Sequence, residues 1–119
     1  MHTRKRLYWE GSSKKDFKAF PIGVQKDMGV ALFVVQLGGA PPSVKPWRGL
    51  GPGVYELTDN HRGDTFRAVY TVRIGNAVHV LHAFQKKSKS GIATPQPDVV
   101  LIEQRLKAVT ARNKTSGNK

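Results

Sequence analysis

Three features of the 119-residue sequence predict an α+β domain, with a small, antiparallel-rich twisted sheet packed by an N-terminal α-hairpin and a C-terminal helix. Apolar residues recur at helical spacing from Val24 to Val35, and again from Val99 to Val109. Between these stretches, two strand-like runs within Thr65 to Gln85 flank Gly75-Asn76, a pair suited to a two-residue hairpin turn. The expected element order is βααβββα.

Residues 1–6 form a flexible basic arm, and Leu7-Tyr8-Trp9 reads as a short strand that stops at Gly11. Ser12-Ser13 offers an N-cap, with Asp16 at capping-box spacing from Ser13, so a short helix is expected from about Lys14 to Phe20. Pro21 fits the first turn of a second helix, where its missing N–H costs nothing. That helix buries Val24, Met28, Ala31, Leu32 and Val35 and ends at Gly38-Gly39. Residues 39–53 read as a long Gly- and Pro-rich loop carrying Lys45, Trp47 and Arg48. A strand from Val54 to Thr58, a polar turn over residues 59–64 and the hairpin follow. Lys86 to Gln96 is a second basic loop, after which Asp98 caps a helix with the stripe Val99, Ile102, Leu106, Val109. Residues 110–119 read as a flexible polar tail, leaving one domain over residues 7–109.

A type II′ turn at Gly75-Asn76 sets Arg67 opposite Phe84, Val69 opposite His82 and Thr65 opposite Lys86. One face of the hairpin then carries Arg67, His82, Phe84 and Lys86 and is expected to be half open. The other carries Phe66, Ala68, Tyr70, Val72 and Ile74 with Ala77, His79, Leu81 and Ala83, and packs under the helices. His79 and His82 fall on opposite faces.

Twenty Lys and Arg against eight Asp and Glu give a net charge of +12, which favours polyanions and makes nucleic acid the first class of partner to consider. An anionic membrane surface or simple solubility is the alternative reading. The absence of cysteine excludes disulfides and thiol chemistry. The longest apolar run, Val30 to Val35, cannot span a bilayer, and no signal-type segment follows the basic start. These points predict a cytoplasmic protein with no membrane partner. No HExxH, carboxylate cluster or P-loop is present, so neither a metal nor another cofactor is expected.

Arg67 is suited to a bidentate grip on a phosphate whose charge grows during phosphoryl transfer, or alternatively to a salt bridge with Glu56. Lys86, Lys87 and Lys89 can hold a phosphate backbone or form a solvated loop, and Lys45 and Arg48 join them only if their loop folds over the sheet. Trp47 can stack a base or plug the core. His61 is a proton shuttle or a turn residue.

Several segments together resemble the phage-related HigB-like branch of the RelE toxin superfamily. They are Tyr8-Trp9 with Gly11 to Asp16, Phe20-Pro21 with Val24, Leu37-Gly38-Gly39, Phe66 to Tyr70, and Leu81 to Ser88 with Thr94-Pro95. The resemblance spans roughly Leu7 to Val109 and implies a RelE-like fold. It further implies the toxin of a type II toxin–antitoxin pair: a metal-independent endoribonuclease, or mRNA interferase, that cuts mRNA on the ribosome by attack of the 2′-OH on the adjacent phosphate. On that basis Arg67 falls at a catalytic position, and Lys86 and Lys87 match the lysines of the FQKK segment. Lys45 and Arg48 fall where relatives place further basic residues. The implied partners are the ribosome, mRNA and a helix-turn-helix antitoxin of the HigA-like kind, through which alone operator DNA is reached. The C-terminus departs from better-known branches, since Thr110 to Lys114 holds no histidine or tyrosine for acid–base work. His82 and Lys86, with His61 as a third, are the candidates for moving protons. Two rival readings are a non-catalytic basic RNA- or DNA-binding phage accessory protein on the same fold, and a ribonuclease that needs no ribosome.

Overall fold

The computed structural model describes residues 4–86 and 94–117. Their elements run β1 (Arg6–Trp9), α1 (Ser13–Lys18), α2 (Ile22–Gln36), β2 (Val44–Pro46), β3 (Val54–His61), β4 (Asp64–Thr71), β5 (Ala77–Lys86) and α3 (Gln96–Gly117). The strands form one five-stranded sheet in the order β1-β5-β4-β3-β2. Every pairing is antiparallel except that of β1, which runs parallel to β5. The expected α+β class holds. The element order gains a strand, because β2 forms inside the stretch expected to be loop. No helix among the described residues is long and apolar enough to cross a membrane.

Helices cover both faces of the sheet. Phe17, Phe20, Val24 and Met28 pack on Phe66, Ala68 and Ala83, and farther along the same face Leu32 and Val35 of α2 pack on Leu57, Tyr70, Val78 and Val80. On the opposite face Ile102, Leu106 and Val109 of α3 pack on Val54, Val69, Leu81 and Phe84. The face expected to stand half open is therefore roofed by α3, and only its margins remain for a ligand.

The helix ends show how local chemistry sets their limits. Ser12 is the N-cap of α1, but its hydroxyl donates to the Asp16 carboxylate at 2.8 Å and not to the helix backbone. Pro21 stands at the N-cap of α2, one position before the first turn. At the other end Gly38, with φ of 90°, lets its N–H reach Val35 O at 2.9 Å while Gly39 N–H reaches Val34 O at 2.9 Å. This pair of bonds is the Schellman closure. Lys5 N–H and O bond Gln36 O and Nε2 at 2.9 and 2.7 Å, which ties the lead-in of β1 to the end of α2. α3 starts with Asp98 in its first turn and continues to Gly117, well past the Val109 that closes its apolar stripe.

The hairpin register agrees with expectation over Thr65 to Val69, which face Lys86 to His82. Nearer the turn it does not. Thr71 pairs with His79, the connection spans residues 72–76, and a bulge leaves Leu81 as an extra residue between the Val69–His82 and Tyr70–Val80 pairs. The longer connection shifts the register by one and the bulge shifts it back, so the distal pairs come out as predicted. The bulge also corrects the expected faces. Val78 and Val80 face α2, whereas Ile74 and Leu81 join the α3 core, and His79 lines a pocket with Val109 and Arg112 of α3. His79 and His82 thus lie on the same side of the sheet. Arg105 Nη1 donates to the Leu81 carbonyl at 2.9 Å, satisfying a group the bulge takes out of the ladder.

The polar turn expected over residues 59–64 is shorter than predicted. β3 runs to His61 and β4 begins at Asp64, with Arg62 (φ 51°) and Gly63 (φ 85°) as a two-residue type I′ turn.

Glu10 joins β1, β5 and α3. Its Oε2 bonds His79 Nδ1 at 2.9 Å and its Oε1 accepts from Arg112 Nη2 at 2.6 Å. Burial alone would raise the Glu10 carboxyl, but the bonds from Arg112 and His79, with their charges, outweigh it and hold it below the ordinary 4.5. A carboxyl lowered on folding contributes stability above its unfolded pKa and loses it as pH falls through the folded value. Glu10→Gln will therefore show a lower urea midpoint at neutral pH and a flatter loss of stability below pH 4.5 than the unsubstituted chain. An unchanged acid limb would show that Glu10 carries no such linkage.

Candidate functional site

β2 places Lys45 directly opposite Glu56 of β3, and β3 in turn sets Glu56 opposite Val69 and Thr58 opposite Arg67. Directly opposed residues share a face, as do alternate residues of one strand, so Lys45, Glu56 and Arg67 all project on the α3 side. Beyond β2 the chain turns back through Gly49, Gly51 and Gly53, all with positive φ. Arg73 staples this turn, with Nη1 donating to Leu50 O at 2.6 Å and Pro52 O at 2.9 Å. A Cβ on Gly53 would stand 2.7 Å from Arg73 Cβ, so the staple needs glycine there. Trp47 N–H donates to Val54 O at 2.9 Å, and its half-buried ring packs against the α3 core.

These elements and the N-terminal half of α3 enclose a cleft of about 920 Å³. Lys45, Trp47 and Arg48 line one wall, Glu56 and Arg67 the sheet side, and Thr94, Val99 and Glu103 the α3 side. Four residues singled out in the sequence, Lys45, Trp47, Arg48 and Arg67, thus meet in one place, as they can only if the loop folds back over the sheet. Trp47 packs on the core, as one of its two readings has it, and also lines the cleft.

Arg67 makes the predicted salt bridge, Nη1 to Glu56 Oε1 at 3.0 Å, with the two side chains 17% and 13% exposed. Glu56 takes only this one of the five guanidinium hydrogens. Arg67 Nε is buried and has no partner among the described residues. A buried donor without a partner costs about 1–3 kcal/mol, so this nitrogen is available to an acceptor entering the cleft.

The remaining expected site residues lie elsewhere. His82 is 5% exposed, and Nε2 bonds Asp98 Oδ1 at 2.7 Å while Nδ1 faces Arg105 Nη1 at 3.3 Å. Arginine has no acceptor, so Nδ1 must accept and the proton sits on Nε2, donated to Asp98. With both nitrogens engaged beneath α3, His82 is a structural clasp and not an open base. Asp98 correspondingly binds His82 in place of the helix-capping role expected of it. Lys86 lies at the end of β5, 9% exposed and outside the cleft lining. His61 pairs with Asp64 at the far tip of the β3–β4 hairpin, its ring 3.8 Å from where a Cβ on Gly23 would stand. It acts on Asp59, whose carboxyl is raised above 3.8 by burial and then by Asp27, with His61 pulling the other way. That is the α2 side of the sheet, away from Arg67. Lys87 and Lys89 lie outside the described residues.

Two cleft residues escaped the sequence reading. Glu56 entered only as the structural partner of Arg67, although its place in the alternation of Val54 to Thr58 was a usable signal. Glu103 stands one helical turn after Val99, and its acidity in so basic a chain was the only clue.

The family described as phage-derived protein Gp49-like (DUF891) matches residues 15–107, which include β2 to β5 and the cleft-lining part of α3. No curated protein and no solved structure gives a match.

Proposed function

We propose that this chain, which belongs to the Gp49-like family of phage-derived proteins, is the toxin of a type II toxin–antitoxin pair and cleaves mRNA on the ribosome. The family is related to the toxins of such systems. The observation that carries the reading is the cleft, where Arg67, Lys45 and Arg48 stand with an aromatic ring and two carboxylates, Glu56 and Glu103, in a chain of net charge +12.

In this reading Trp47 holds a base and Arg48 a flanking phosphate. Glu56 accepts the proton of the ribose 2′-OH, and the 2′-oxygen bonds to the adjacent phosphorus as the bond to the 5′-oxygen breaks. Arg67 stabilises the charge on the five-coordinate phosphorus, and the ammonium of Lys45, opposite Glu56, gives a proton to the leaving 5′-oxygen. The products are a 2′,3′-cyclic phosphate and a 5′-hydroxyl end. A helix-turn-helix antitoxin encoded beside the chain restrains it and carries the pair to operator DNA.

One observation favours a second reading, a non-catalytic RNA-binding protein: His82 and His61 are both committed outside the cleft. The two part in a test with programmed ribosomes. Toxin activity predicts new 5′-hydroxyl mRNA ends that vanish when the scissile nucleotide is 2′-deoxy, with binding retained. Salt-sensitive binding without new ends moves the protein to the second reading. Equal cutting of naked RNA removes the ribosome from the proposal.

A further inference from the structure

At the opposite end of α3 from the cleft, a second concavity of about 480 Å³ lies between β1, the start of β5 and Val109 to Asn113. That volume is within the range of small-ligand sites. Its centre is the stacked pair Tyr8 and His79, with ring centroids 5.2 Å apart and planes inclined by 18°. Tyr8 sits on the edge strand and stays 42% exposed, so His79 covers one face of the ring and the other is open to a planar group. Arg6, two residues earlier on the same strand, shares that side and has no partner among the described residues.

Below the rings the buried Glu10 carboxylate is fully engaged, one oxygen by Arg112 and the other by His79 Nδ1. Its charge is offset by Arg112, so Arg6, Arg112 and Glu10 together leave the pocket an excess of one positive charge. The same bond fixes the orientation of His79. His79, its side chain 13% exposed, lines the pocket, and its Nε2 makes no hydrogen bond to a described residue. Arg112, 61% exposed, gives one hydrogen to Glu10 and keeps its others. Asn113 adds an amide at the rim, where its Oδ1 stands 3.3 Å from the place of a Cβ on Gly75.

We infer that this pocket binds a nucleoside monophosphate unit, with the base on the open face of Tyr8 and the phosphate between Arg6 and Arg112. An aromatic platform beside a pair of guanidinium groups recognises base and phosphate together, whereas a bare anion site has no use for the exposed ring. The unit can be a free nucleotide or one nucleotide of an RNA chain. The inference is independent of the cleft's chemistry, because no residue is shared between the two sites.

The test is calorimetric titration of the full chain at low salt with adenosine monophosphate, adenosine, inorganic phosphate and a single-stranded RNA hexamer. Adenosine monophosphate should show a binding component that depends on Tyr8, at least tenfold tighter than that of adenosine or phosphate. Loss of base stacking in Tyr8→Ala should weaken it by about 5- to 150-fold, while Tyr8→Phe retains binding. Arg6→Gln should also weaken it, and substitution of the exposed Lys14, which lines neither site, should not. Both tested side chains are exposed, and unchanged melting curves will show that the variants fold. If Tyr8→Ala and Arg6→Gln weaken the hexamer as well, the pocket serves RNA; if they weaken only the mononucleotide, it serves free nucleotides. Phosphate binding as tightly as adenosine monophosphate, or indifference of its affinity to both substitutions, overturns the assignment. So does failure of the unsubstituted chain to bind it, even if mRNA cleavage at the cleft is intact.

Discussion

If the cleft cuts mRNA as proposed, replacing Arg67 with alanine will lower cleavage by about 10²–10³-fold, the loss usual when one preorganised donor to transition-state charge is removed. Alanine also strands Glu56, whose side chain is only 13% exposed, so some destabilisation will accompany the loss. Arg67→Gln separates the two effects. It keeps a donor near Glu56 and removes the charge, so it should melt close to the unsubstituted chain while remaining as inactive as alanine. Arg67→Lys should not rescue, since a single ammonium cannot hold Glu56 and a phosphate in the planar fork that arginine offers. The measurement is the yield of new mRNA 5′ ends on programmed ribosomes, alongside thermal unfolding. A folded Arg67→Gln protein that cuts at the full rate would remove Arg67 from the mechanism.

Ile102→Ala will give a large loss of stability. Ile102 is fully buried at the centre of the α3 core, against the cluster that includes Val69, Leu81 and Phe84. Truncating such a side chain costs about 2–5 kcal/mol, from lost transfer energy and the cavity left behind. Domains of this size are stable by about 5–15 kcal/mol, so the change removes a large share. Urea unfolding followed by circular dichroism will read it as a lower midpoint with the slope retained. Because α3 supplies Val99 and Glu103 to the cleft, activity should fall with stability and return at lower temperature, unlike the loss at Arg67. A midpoint within experimental scatter of the parent would show that the helix is held mainly by its polar ties through Arg105, Asp98 and Arg112.

The helices and long strands could be read in the sequence because each carries a period. Val24, Met28, Leu32 and Val35 are buried as their spacing demands, and so are Ile102, Leu106 and Val109. β2 could not be read, since Val44-Lys45-Pro46 is too short to alternate and contains a proline. Its pairing alone brings Lys45 opposite Glu56, so the cleft was legible as a set of residues and not as a place. The bulge at Leu81 was hidden for another reason. Val78, Val80 and Leu81 are all fully buried between two layers of helix, and a run apolar on both faces does not show where alternation slips. The burial of His82 depends on Asp98 and Arg105 of α3, contacts across 16 and 23 residues that no local pattern encodes.

The parallel pairing of β1 with β5 has a consequence for how the chain comes into being. Residues 6–9 must wait for residues 77–80, a long loop closure that no earlier local contact can replace. The cleft likewise draws on residues from Lys45 to Glu103, and its α3 wall follows every strand in the sequence. During synthesis the strands leave the ribosome before α3 does. A nascent chain that has emerged only as far as β5 therefore holds Lys45 and Arg67 but no closed cleft, and whatever chemistry the cleft performs waits until α3 has emerged and docked.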